Sequence, residues 1–219
     1  MIMLEKMSDF FESRLAGYDE HMMNNIEFAS EFYPLTASLL PMRQGASVLD
    51  LGCGTGLELT ELFKLNPAAS VVGIDLSQKM LDELLRKLSA FNVKVICGSY
   101  FDIPLGEKVF DSAVSVESLH HFTQEEKIQL YKKIRCAVKD DGYFILTDYF
   151  AKNEEEEASF RRELRDLMAK EGKEDGELYH FDTPLTVKHE TEALIAAGFA
   201  SVELIRSYGA TCVIKASVH

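Results

Sequence analysis

Three glycines within five residues, Gly52, Gly54 and Gly56, follow closely on Asp50. Glycine has no Cβ, so such a run permits a tight turn and a close approach of backbone to a ligand. Val48, Leu49 and Leu51 read as the end of a buried strand, and Leu59, Leu62 and Phe63 fall at helical spacing after the turn. Strand, turn and helix start together present free N–H groups that favour an anionic ligand group. Further on, Ser70-Val71-Val72-Gly73-Ile74-Asp75 reads as a second strand ending in a carboxylate, which can accept hydrogen bonds from a ribose diol. That pairing serves any adenosine-containing cofactor. The glycines do not follow the dinucleotide fingerprint, because Leu57 stands where its last glycine would be. His120 and His121 are the remaining residues suited to proton transfer. Neighbours in an extended segment point to opposite sides, so at most one is expected to face a pocket, and His121 is the candidate. No metal is expected, since no third ligand stands at suitable spacing.

Alternating strand and helix patterns surround these residues. Ser77 is placed to cap a helix whose apolar stripe is Met80, Leu81, Leu84, Leu85 and Leu88. Val93–Cys97 and Asp111–Val116 read as the third and fourth strands. Thr123-Gln124-Glu125-Glu126 has capping-box spacing and opens a helix carrying Ile128, Leu130, Tyr131, Ile134 and Val138. Asp140-Asp141-Gly142 is expected to turn into a fifth strand, Tyr143–Asp148. A final helix around Val187–Ile195, stopped at Gly198, precedes a hairpin of two strands, Ser201–Ile205 and Thr211–Ala216. Residues 1–45 predict a helical cap: one helix from about Met3 to Leu15, broken near Gly17, and a second from His21 to Leu40, kinked or restarted at Pro34. Residues 150–185 form an insert. A charged helix led by Glu154 is followed by a link from Gly172 to Glu177 and an aromatic cluster, Leu178-Tyr179-His180-Phe181, expected to fold back on the core near the end of the fifth strand.

The run Asp50-Leu51-Gly52-Cys53-Gly54-Thr55-Gly56 with Gly73-Ile74-Asp75-Leu76-Ser77 resembles the class I S-adenosylmethionine-dependent methyltransferases. The likeness continues through Gly98–Pro104, Phe110-Asp111, Leu119-His120-His121 and Asp140-Asp141-Gly142, in the family's order. It implies one α/β domain over 1–219: a doubly wound, seven-stranded, mostly parallel sheet with an antiparallel last strand, helices on both faces and an N-terminal helical cap. It implies S-adenosylmethionine as cofactor, held by Asp50, Gly52, Cys53, Gly54, Asp75, Leu76, Met80, Ser99, Tyr100, Phe101 and Val116. Members often lay an N-terminal Tyr-Asp step over the cofactor, and Tyr18-Asp19 matches it, so Tyr18 is expected to cover the site. Ser99 departs from the pattern, because the family commonly has an acidic residue there to accept from the adenine amino group.

The reaction class requires no single catalytic residue, since the cofactor itself is the electrophile and the protein supplies alignment. A formal charge of −13 repels phosphate backbones, which disfavours nucleic acid as a partner and favours a small-molecule methyl acceptor. An RNA-modifying methyltransferase and a non-catalytic module that binds an adenosyl ligand are the alternatives; a nicotinamide oxidoreductase is disfavoured by Leu57. The four cysteines are scattered, and no stretch reaches membrane-spanning length, so a soluble cytosolic protein is expected.

Overall fold

The computed structural model describes residues 3–173 and 177–219. Residues 174–176 of the expected link, and Met1 and Ile2 of the cap, lie outside the described residues. Seven strands form one sheet: β1 (Ser47–Leu51), β2 (Ser70–Asp75), β3 (Asn92–Cys97), β4 (Phe110–Val116), β5 (Val138–Tyr149), β6 (Ser201–Tyr208) and β7 (Thr211–Ser217). Their order across the sheet is β3-β2-β1-β4-β5-β7-β6. β7 runs antiparallel to both neighbours, and all other pairings are parallel. This is the expected doubly wound sheet. The strand order reverses between β1 and β4, and ligands of such sheets bind beyond the strand ends at that point.

Burial on both faces explains why the central strands read as apolar runs. On one face, α3 (Ala29–Ser38), α4 (Leu57–Leu65) and α5 (Gln78–Lys87) set Phe32, Leu59, Leu62 and Leu84 against Val48, Val71 and Ile145. On the other, α6 (Gln124–Ala137) and α8 (Val187–Ala196) set Leu130, Tyr131, Ile134 and Leu194 against Leu49, Phe144 and Leu146. Each such side chain contributes about 1.5–3 kcal/mol by leaving water. Lys127 on α6 and Glu190 on α8 are also buried and paired at 2.5 Å, and the Tyr131 hydroxyl donates to the same carboxylate. Both predicted caps form: Ser77 Oγ accepts from Met80 N–H, and Thr123 and Glu126 close a full capping box.

Three local expectations are corrected. The cap contains three helices, α1 (Met7–Arg14), α2 (Tyr18–Asn25) and α3. The break after α2 falls at extended Ile26 and left-handed Phe28, and Pro34 sits inside α3 without ending it. The first helix starts at Met7 because the chain before it pairs with the insert. Met7 N–H donates to the Leu178 carbonyl (2.9 Å) and His180 N–H to the Glu5 carbonyl (3.0 Å). The aromatic cluster thus seats against the N-terminal segment, while Leu185 bonds Ala151 just past β5. Finally, Asp140–Gly142 lies within β5 as an irregularity, since the β4 register jumps from Phe110↔Val138 to Ser112↔Tyr143. The charged helix is α7 (Glu154–Glu171), capped by Asn153, with no side chain fully buried.

Candidate active site

The glycine turn leaves β1 at the reversal point. Gly52, Gly54 and Gly56 all have φ between +48° and +77°, which L side chains rarely adopt. Their surroundings differ. A Cβ on Gly52 would meet Ser118 Oγ at 2.0 Å, so that glycine lets the turn pass the loop after β4. A Cβ on Gly54 would meet nothing within 4 Å, so that backbone faces open space. Gly54 N–H donates to Asp75 Oδ2 (2.9 Å) and Ser77 N–H to Asp75 Oδ1 (2.8 Å). These bonds fix the carboxylate at the end of β2 and leave lone pairs on both oxygens.

A cleft of about 50 Å³ lies here, lined by Gly52, Gly54, Asp75, Leu76, Met80, Tyr100, Val116 and Tyr18, all named from the sequence. Four expected contacts are not on its wall. Asp50 is fully buried beneath the turn, and neither of its oxygens meets a hydrogen-bond partner among the described residues. Burial, then the neighbouring Glu58 carboxyl, pushes Asp50 well above the usual carboxylate range. The Cys53 side chain points into the core and packs on Gly73, where a Cβ would meet its sulfur at 2.7 Å. Ser99 Oγ accepts from Phe101 N–H, and the Phe101 ring packs against Phe122. His121, the candidate catalytic residue, is also on the wall, and the sequence missed four others: Met7, Phe11, Glu117 and Ser118. Met7 and Phe11 are the apolar face of α1, and their helical spacing was visible without showing what that face covers.

A second, larger cavity of about 930 Å³ adjoins the cleft, and Phe11, Tyr18, Glu117 and His121 border both. Its other walls come from α1, α2, the start of β7, Tyr149, Tyr208 and the insert residues His180 and Asp182. Tyr18, expected to cover the cofactor, borders both spaces. Its neighbour Asp19 accepts from Thr55 Oγ1 and pairs with Lys87, each at 2.5 Å, which ties α2 to the glycine turn and α5.

Both histidines, rather than one, line the large cavity. The segment is a turn closed by Phe122 N–H to the Leu119 carbonyl (3.2 Å), so the alternation of an extended chain does not apply, and the two rings lie 4.1 Å apart. Buried His120 donates from Nδ1 to Asp148 Oδ1 (2.6 Å), and its Nε2 lies 3.4 Å from Asp182 Oδ1. Burial alone would lower its pKa, but the Asp148 and Asp182 carboxylates outweigh that and hold it well above the usual histidine value. His121 goes the other way. Burial first, then the charge on His120, lowers it to about 3, so it is neutral and donates Nδ1–H to the Phe181 carbonyl (3.2 Å). Glu117 stands at the end of β4 with φ +48°, accepts from the Thr211 hydroxyl (3.0 Å) and is pushed up to about 7, first by burial and then by the Asp148 charge. A third ligand candidate for the two histidines does exist, in Asp182, brought in by the insert.

A methyltransferase-domain family model matches residues 48–142, from the glycine turn to Gly142. Over this stretch the chain is similar to the methyltransferase domains of the class I S-adenosylmethionine-dependent enzymes. The matched stretch is a methyltransferase domain, and S-adenosylmethionine is the cofactor of such domains. A carboxy-S-adenosyl-L-methionine synthase of Nautilia profundicola is 26% identical, over 92% of this chain and 91% of that protein. An uncharacterized methyltransferase of a Geobacillus species is 29% identical over 67% of this chain and 65% of its own length. A tRNA (carboxymethyluridine(34)-5-O)-methyltransferase of Arabidopsis thaliana is 28% identical over 63% of this chain and 32% of its own. Among solved structures, human N-acetylserotonin methyltransferase with its cofactor superposes with a TM-score of 0.62 at 18% identity, over 87% of this chain and 52% of that one. The Mycobacterium tuberculosis cyclopropane synthase MmaA2 gives 0.62 at 17%, over 81% and 62%. These structural likenesses share the fold. Among the described residues no helix is long and apolar enough to cross a membrane.

The residues present fit the cofactor. Gly54 offers a cradle that a side chain would fill, and Asp75 offers carboxylate lone pairs beside it. The cleft of about 50 Å³ is far smaller than a usual ligand site of about 300–1,000 Å³. Met7, Phe11 and Tyr18 line it from α1 and α2.

Proposed function

We propose that the enzyme transfers a methyl group to a neutral or cationic small molecule bound in the large cavity. The observation that carries this reading is the common wall of Phe11, Tyr18, Glu117 and His121, which sets a cavity of about 930 Å³ directly beside the glycine-turn cleft. Its size suits a small molecule. Aromatic rings supply apolar and stacking surface, and Glu117 and Asp182 supply negative charge, which opposes a phosphorylated acceptor. The net charge of −13 counts against an RNA acceptor in the same way.

On this reading the cofactor rests on Gly54 and Asp75, against Leu76, Met80, Tyr100 and Val116, with Tyr18 above it. When bound, it supplies an electrophilic methyl group on a sulfonium. The protein's part is alignment, which is worth up to about 7–11 kcal/mol in favourable cases. Closure of α1 and α2, held by Asp19, would exclude water from the reacting groups. Where the acceptor carries a proton, Glu117 is better matched to receive it than His121, since its pKa lies near neutrality and that of His121 lies near 3. The role given to His121 from the sequence therefore shifts toward contact with the acceptor.

A second reading rests on the Nautilia relative, whose match spans nearly the whole chain and whose name describes a product made from the cofactor itself. One experiment separates the two. The enzyme is incubated with S-adenosylmethionine labelled in the methyl group and a panel of small amines, phenols and hydroxy acids, and the products are read by mass spectrometry. Methyl transfer yields S-adenosylhomocysteine together with a labelled acceptor. No labelled acceptor from any panel member, with a mass-shifted cofactor in its place, would overturn the leading reading.

A further inference from the structure

Four of the chain's six histidines, His21, His120, His121 and His180, line the large cavity. A cavity suited only to an organic acceptor gives no reason for that concentration. On its wall three donor atoms converge. His120 Nε2 lies 3.4 Å and His121 Nδ1 lies 3.5 Å from the same oxygen, Asp182 Oδ1. One ligand atom from each of the three residues lies within 4.8 Å of the others. Charge-assisted hydrogen bonds between such groups are shorter, about 2.7–2.9 Å. The Asp182 oxygen is itself buried and makes no hydrogen bond among the described residues. Separations of this size match the edge of a coordination tetrahedron, which is about 3.3–3.4 Å for metal–ligand bonds near 2.0–2.1 Å.

The surroundings supply a second, independent feature. Metal-binding histidines almost always donate their other ring N–H to a carboxylate or carbonyl, which fixes the ring and its tautomer. His120 does so: Nδ1–H donates to Asp148 Oδ1 at 2.6 Å, and Asp148 is fully buried and further fixed by Leu119 N–H at 3.0 Å. The ring is thereby aimed with Nε2 toward Asp182.

We propose that His120 Nε2, His121 Nδ1 and Asp182 bind one divalent transition-metal ion, with Asp148 orienting His120 from behind. Two imidazoles and one carboxylate suit zinc, cobalt, manganese or iron better than magnesium or calcium, which prefer oxygen ligands. Binding releases the Nε2 proton of His120 to solvent and moves the His121 proton from Nδ1 to Nε2, which gives up its bond to the Phe181 carbonyl, and leaves the His120–Asp148 bond in place. Three protein ligands leave at least one position for water or for an oxygen or nitrogen of a bound molecule. His121 borders both spaces, so the ion stands at the boundary of cleft and cavity. The ion's use as an anchor for the methyl acceptor rests on the reading above; the site itself does not.

The test is a titration of the tag-free, chelator-treated full chain with Co2+, followed by visible absorption, with Zn2+ as competitor. The expected result is a ligand-field band that saturates at one equivalent and disappears with one equivalent of Zn2+. Asp182→Asn is expected to weaken Co2+ at least 100-fold with S-adenosylhomocysteine affinity retained, and Asp148→Asn about 10–100-fold. His121→Ala is expected to abolish the band, with circular dichroism reporting the fold. No saturable band, or a band of equal strength in Asp182→Asn and His121→Ala, would overturn the site. Failure of methyl transfer to the acceptor panel with the band intact would count against the acceptor reading and leave the metal site standing.

Discussion

The two halves of the crevice are built by opposite strategies. The half beyond β1 and β2 comes from two short stretches, Asp50–Gly56 and Asp75–Met80, whose parts are fixed by backbone hydrogen bonds to Asp75. The half beyond β4 and β5 is assembled from five separated segments: α1 and α2, Glu117–His121, Asp148-Tyr149, His180–Asp182 and Tyr208–Thr211. It is held by side-chain contacts such as His120–Asp148 and the stack of Phe10 on His180 at 3.4 Å. A backbone-built site tolerates little variation in its glycines. A side-chain-built site can change its ligand by changing residues, while the sheet beneath it stays the same.

The sharpest way to break this comparison is Asp148→Ala. It leaves the His120 ring buried without its main partner, and breaking a buried pair costs about 3–5 kcal/mol. Thermal unfolding is expected to fall accordingly; an unchanged midpoint would mean that the cluster is not a structural unit. Next comes Gly54→Val, which places a β-branched side chain at φ +48° in the open cradle. Calorimetry is expected to show cofactor affinity reduced at least 100-fold in a protein whose circular dichroism is unchanged. Retained affinity would remove the glycine turn from the site. Asp75→Ala should cost about 1.5–3 kcal/mol toward the full cofactor and much less toward its 2′-deoxyribose analogue. Equal losses for the two ligands would mean that Asp75 holds only the turn.

A smaller effect is a pH dependence from Asp50. Its pKa is raised in the folded state, chiefly by burial, so its contribution to stability is full below the ordinary carboxylate value and is lost as pH rises through the raised one. Asp50→Asn is therefore expected to gain stability relative to the parent above about pH 5, in ligand-free unfolding measured across pH. A constant difference at all pH values would rule out the raised Asp50 carboxyl.

The contrast also explains what the sequence could and could not show. The seven strands, the glycine turn, Asp75 and both helix caps were legible because each depends on neighbours in the chain: alternating burial, a Cβ-free turn, a side-chain oxygen three residues before its donor. At Cys53 the motif marks a backbone position and does not tell where the side chain goes, which here is against Gly73. The paired inward facing of His120 and His121 was missed because the run was taken as extended, and the chain turns there. Asp182 and Glu117 carry no local pattern at all. They join the site through the pairing of residues 5–7 with 178–180 and through the left-handed turn at the end of β4, and both depend on the complete fold.

The central claim is that the N-terminal helices and the insert form a closing wall over a cofactor held by the fixed turn. Hydrogen exchange with and without S-adenosylhomocysteine tests it most directly. The ligand-free enzyme is expected to exchange quickly over residues 7–28 and 177–182, and ligand should slow both segments, with Tyr18 and Asp19 first. β1 and β4, buried in the sheet, should be protected in both states. Equal protection of residues 7–28 with and without ligand would contradict the account, and would make the cap a fixed part of the core.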